Sequence, residues 1–135
     1  MTSRRVQIRR LSKYWLGGLL LMSALPTAAH HSFFAEFDSN RPVELTGTVT
    51  EMKWSDPHSW IVMKVATIEG NKETWEVEGG SPNVLMRLGW TRDSLQPGTR
   101  IIVSGFGAKD GSLRASSSSI EFPDGRVLDT GGSRR

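Results

Sequence analysis

Val43, Leu45, Gly47 and Val49 alternate with Glu44, Thr46, Thr48 and Thr50 along VELTGTVTEMKW. A period of two sends apolar side chains to one face and polar ones to the other, which predicts a half-buried β-strand. Gly47, in mid-strand with no side chain to pack, marks a bend or bulge of the kind a tightly curved barrel requires. Pro57 has no amide hydrogen to give to a ladder, so SDPHS (55–59) is a loop. WIVMKVATI (60–68) is a second strand, EGNK a hairpin turn and ETWEVEG (73–79) a third strand.

The period then changes. Ser81 can cap a short helix with Pro82 at its first position, and NVLMRLG ends on Gly89 as terminator. LQPGTRIIVSGFG is a turn running into a fourth strand, Asp110-Gly111 marks a hairpin, and SLRASSSSIEF is a fifth strand. PDG turns into a short edge at Arg126-Val127-Leu128. Ser32 to Arg41 is expected to be an arm leading into the domain, and 129–135 a disordered tail. Three strands, one short helix and two strands is the order of the OB-fold, a small partly open barrel. The expected class is therefore all-β with one short helix, over residues 30–128. A plain antiparallel sheet capped by the helix is the competing architecture.

Charge alters the picture at the front of the chain. The sequence pI is near 9.7, yet Arg4, Arg5, Arg9, Arg10 and Lys13 all precede Ala29, with no acid among them. From His30 onward 12 Lys and Arg face 14 Asp and Glu. The basic character belongs to residues 1–29, and a nucleic-acid partner loses its usual support, clustered cationic side chains. Those 29 residues have the parts of a signal peptide. The cationic region ends at Lys13, the apolar stretch runs from Tyr14 to Leu25, and small residues Thr27 and Ala29 precede a cut before His30. The apolar stretch is too short to span a membrane, which takes roughly 20 residues. SRRVQI resembles a twin-arginine export signal, but Gln7 stands where that signal prefers a large apolar residue, so Sec export is favoured. The chain has no cysteine, hence neither a disulfide nor a lipid-modified Cys anchor. The expectation is a periplasmic protein with no membrane span once the leader is removed.

Candidate chemistry rests on three histidines. A cut before His30 gives that residue a free α-amine beside its ring, and one residue can then chelate a metal through the amine and Nδ1. Amine and imidazole titrate near pH 8 and 6.5, so neither proton is costly to displace. His31 stands next to it, and His58 lies in the loop between the first two strands, a loop with which OB-folds bind ligands. Three nitrogen donors favour copper(II) among first-row divalent ions. The set resembles the histidine brace of copper monooxygenases and some periplasmic copper carriers. Asp56 or Ser59 could orient the His58 ring. A structural zinc site would want four protein ligands.

The remaining candidates have plainer readings beside the functional ones. Glu76 and Glu78 leave the same face of the third strand, as paired carboxylates of a hydrolase would, but also as a solvated face does. Trp60 and Trp90 could stack on a flat ligand, or serve packing, as could Trp54 and Trp75. Met52, Met63 and Met86 would bind copper(I) only if they met in space. No catalytic residue is assigned, and the balance leans away from an enzyme.

AHHSFFAEFD, GTVTEMKWSDPHSWIVM, WEVEGGSPNVLMRLGW, LQPGTRIIVSGFGAKDG and DGRVL resemble a secreted bacterial family known only as domain of unknown function 6152. The resemblance spans nearly all of 30–128 and implies export and a small β-rich domain. The family pattern has Asn-Pro-His where this chain has Asp56-Pro57-His58. It implies no activity. The functional expectation is thus an exported copper-binding protein using His30 and His58. The alternative is a metal-free OB-like module that binds a periplasmic protein partner or small ligand.

Overall fold

A computed structural model of the chain describes residues 33–132. The leader at 1–29, His30 and His31, and residues 133–135 of the tail lie outside the described residues. Six strands and one helix follow in order: β1 (Phe37–Lys53), β2 (Trp60–Ala66), β3 (Lys72–Glu78), α1 (Pro82–Arg87), β4 (Arg100–Ala108), β5 (Arg114–Glu121) and β6 (Val127–Asp129).

Alternation along each strand decides what faces inward. Leu45, Gly47 and Val49 of β1 are buried while Glu44, Thr46 and Thr48 are exposed. Val77 and Met63 are fully buried and belong to one core with Leu45, Val49, Ile101 and Val103. A side chain buried to this degree contributes about 1.5–3 kcal/mol relative to its exposed state. The strands hydrogen-bond in the order β3-β2-β1-β4-β5-β6. A parallel pairing of β3 with β5 then joins the two sides of the sheet into a ring, matching Glu76 with Arg114 and Glu78 with Ser116. The other pairings are antiparallel. This is the barrel-like, mostly β architecture that the element order predicts.

Two glycines let the sheet curl. A Cβ on Gly47 would come within 2.4 Å of the Lys64 carbonyl oxygen, and one on Gly105 within 2.2 Å of the Ser116 oxygen. Beside each, the ladder slips register, between Val49 and Glu51 and between Ser104 and Gly105. α1 begins as its sequence dictates: the Ser81 side chain accepts from the Val84 amide and Pro82 follows at the first turn. Leu85, Trp90 and Leu95 join the barrel core from this segment.

The two ends of the domain depart from expectation. The arm expected over Ser32–Arg41 is instead a helical turn at 33–36 followed by β1, which starts at Phe37 opposite Ala108. The reason is aromatic: Phe33 stacks on Phe37 at 5.8 Å and meets Phe106 edge-on at 5.9 Å, forming a small second core with Ala108. The tail expected from Asp129 begins inside the fold. Asp129 ends β6, and Thr130 is 1% exposed because its hydroxyl donates to the Ser117 carbonyl. Among the described residues no helix is long and apolar enough to cross a membrane.

Candidate functional site

The loop between β1 and β2 is tied to the end of β3, and that tie sets the site. The Ser59 amide donates to the Gly80 carbonyl at 3.1 Å, and the Gly79 amide donates back to the Ser59 carbonyl at 2.9 Å. Ser55 closes the loop from its other side through a hydroxyl bond to the His58 carbonyl at 2.8 Å. Trp60 lies opposite Glu78 in the β2–β3 ladder. His58, two positions before Trp60, is thereby brought onto the Glu78 side chain.

His58 Nδ1 contacts Glu78 Oε1, with the two side chains 28% and 11% exposed. Nitrogen and carboxylate oxygen are both acceptors when bare, so a proton must lie between them. When Nδ1–H donates, Nε2 keeps a free lone pair. That is the arrangement in which a carboxylate fixes the tautomer of a metal-binding histidine. Glu78 itself titrates at about 7 rather than 4.5. Burial is the largest cause, the Glu36 carboxylate adds to it and Arg114 opposes both.

Glu36 reaches this group from the helical turn ahead of β1. Its carboxylate pairs with Arg114 at 3.2 Å. The Arg114 guanidinium covers the Trp60 ring at 4.8 Å and approaches the Phe37 ring at 6.0 Å. The loop between β4 and β5 holds the same turn: the Lys109 amide donates to the Glu36 carbonyl at 2.9 Å and Lys109 Nζ to the Phe34 carbonyl at 2.5 Å. His58, Glu78, Arg114, Trp60 and Glu36 therefore form one continuous cluster along the β3–β5 seam. Residues 19–117 match the family of unknown function DUF6152. The chain belongs to this family. No curated protein and no solved structure matches the chain. The DUF6152 match includes every member of the seam cluster and ends at Ser117, ahead of β6.

The other residues singled out from the DUF6152 sequence fall as follows. His30 and His31 lie outside the described residues. Asp56 is exposed, and Ser59 is 0% exposed with no hydrogen-bond partner for its hydroxyl among the described residues. The group that engages the His58 ring is Glu78. Glu76 and Glu78 share an alternation on β3 but not an environment, Glu76 being exposed and Glu78 9% exposed. Trp60 carries Arg114 on its face, while Trp90 is 2% exposed and donates its indole N–H to the Asp129 carbonyl at 2.8 Å. Met63 is in the core and Met86 is 55% exposed, so the methionines do not gather. Among the described residues no group of three or more His, Cys, Asp or Glu is placed to hold a metal. Arg114 and Glu36 were not singled out by sequence; FFAEF and LRASS carry no local signal that they meet.

Proposed function

We propose that this DUF6152 protein is exported to the periplasm and binds copper through His58 and an N-terminal His30, with His31 beside it. The single observation that carries the reading is the Glu78 carboxylate on His58 Nδ1, which leaves Nε2 as a donor at a partly exposed position. Two further features support it. Glu36, whose charge acts on Glu78, lies six residues after His30. That length of chain reaches at most about 20 Å, which would allow His30 to come to the seam. His58 Nε2 alone falls short of a metal site, whereas an α-amine and ring from His30 would bring the set to three nitrogens. The role we infer is that of a carrier or accessory. The alternative of a metal-free module for a periplasmic partner is less favoured. Its two anchors are committed, Trp60 to Arg114 and Trp90 to the core.

The test begins with the intact mass of the exported protein, which fixes its first residue. Copper(II) titration of that sample, followed by its electron paramagnetic resonance spectrum, is expected to give one tight nitrogen-rich site. A form keeping one alanine ahead of His30, and a His58→Ala variant, are each expected to bind at least tenfold more weakly. Equal binding by all three forms would end the proposal, as would an exported chain that starts elsewhere.

A further inference from the structure

Away from the seam, the outer faces of β1 to β4 carry a patch of one sign. Thr48 lies opposite Lys64 on β2 and opposite Arg100 on β4, and Lys64 in turn faces Thr74 on β3. Lys72 enters the next row, opposite Ala66. Neighbouring strands stand about 4.8 Å apart, so Lys64 and Arg100 flank Thr48 at a backbone separation of roughly 10 Å. The register shift between Val49 and Glu51 kinks β1 beside this row. A groove of about 350 Å³ lies there, lined by Thr46, Thr48, Thr50, Lys64, Lys72 and Arg100, with Gly47 and Ala66 completing it.

The charge in this groove runs against the chain. Acids outnumber bases from His30 onward, 14 to 12, yet the lining holds three cations and no carboxylate. Among the described residues none of the three is in an ion pair. Lys64 Nζ donates to the Thr74 hydroxyl instead. Cations gathered on one face repel one another, and a bound anion would offset that repulsion. The lining also narrows the anion. It has no aromatic ring on which a nucleobase could stack, and only Ala66 is apolar, which leaves no bed for an acyl chain. What it offers is one guanidinium for bidentate contact, two ammonium groups and three hydroxyls, the donor set for phosphoryl oxygens.

We propose that the groove between Arg100, Lys64 and Lys72 binds a small phosphate-bearing ligand, a phosphate ester or diphosphate, whose oxygens also accept from the Thr46 and Thr48 hydroxyls. This site is separate from the seam and does not depend on copper. Calorimetric titration of the exported chain with inorganic pyrophosphate, in metal-free buffer at low and physiological salt, tests it. One saturable site is expected, weakened at least fivefold by Arg100→Gln or Lys72→Gln and unchanged by Lys53→Gln, an exposed lysine outside the groove. All three residues changed are exposed, and thermal melts check that the variants fold. No saturable response to millimolar pyrophosphate would overturn the proposal, as would equal binding by the Arg100→Gln/Lys72→Gln double variant. Vesicles of anionic phospholipid form the second arm. Capture by vesicles without any response to free pyrophosphate would make the surface a membrane contact and would also overturn it.

Discussion

Glu78 holds the imidazole of His58 by Nδ1 while burial and the neighbouring Glu36 carboxylate keep the Glu78 carboxyl near a pKa of about 7. The unfolded chain gives up this proton near 4.5 and the folded one near 7. Between those values the folded state binds the extra proton, so the contribution of Glu78 is most favourable at low pH and is lost as pH rises toward 7. The loss is on the order of 3 kcal/mol. Glu78→Gln keeps an oxygen that can accept from Nδ1–H and removes the charge. In urea melts of metal-free protein, the variant is expected to gain on the parent between pH 5 and pH 8. Parallel profiles for the two proteins would show that the carboxyl does not govern the slope.

Arg114 joins elements far apart in sequence: Glu36 by charge, Trp60 and Phe37 by their rings. The salt bridge is half exposed and worth under about 1 kcal/mol alone; the two ring contacts add a comparable amount. Arg114→Gln is expected to loosen the turn at 33–36 before it harms the barrel. The reporter is the Lys109 amide, which is bonded to the Glu36 carbonyl. Its hydrogen exchange should rise about tenfold, a free-energy change of about 1.4 kcal/mol, while core amides of β4 stay protected. Unchanged exchange at Lys109 would mean that the phenylalanine cluster alone holds the turn.

Gly105 lets β4 lie close against β5. A methyl group there would meet the Ser116 carbonyl oxygen at 2.2 Å, a backbone atom that cannot swing aside. Gly105→Ala is therefore expected to cost at least about 2 kcal/mol and lower the melting temperature by about 10 °C for a domain of this size. Gly125→Ala, at a turn with a φ of 81° but nothing within 4 Å of the added atom, should cost less. A reversed order would show that backbone conformation, and not crowding at the curl, dominates.

Much of the barrel could be read from the chain because its cause is local. The two-residue period from Val43, the loop at Pro57, the Ser81-Pro82 cap and the turn at Asp110-Gly111 each act within a few residues, and each is found where expected. The start of β1 and the fate of Thr130 were not legible. Phe37 becomes strand because Ala108 and Phe106 wait for it, and Thr130 is buried because Ser117 is there to bond it. The seam is the same case. His58 and Glu78 each stood out alone, but their meeting depends on the Ser59–Gly79–Gly80 tie, which no spacing announces. Sequence proximity points to Asp56 or Ser59 as the group that orients His58, but the ring is met by Glu78 from the β2–β3 hairpin instead.

That tie has its own support behind it. The Ser117 hydroxyl, 1% exposed, lies 2.8 Å from the Glu78 carbonyl and 3.0 Å from the Thr130 hydroxyl, which donates back to the Ser117 carbonyl. Thr130 in turn accepts from the Gly80 amide through its carbonyl at 2.7 Å. One serine on β5 thus holds the end of β3, Thr130 just after β6 and the segment that anchors the His58 loop. Ser117→Ala removes the hydroxyl but leaves the Glu78 carbonyl and the Thr130 hydroxyl in place, so buried polar groups lose a partner at about 1–3 kcal/mol. Ser117→Cys, close in volume with a weaker donor, is expected to fall between. The decisive readout is local: the histidine ring signals of His58 in a nuclear magnetic resonance spectrum should broaden or shift in Ser117→Ala under conditions where the barrel is still folded. Loss of stability with unaltered His58 signals would confine Ser117 to the core and detach the seam from the strand behind it.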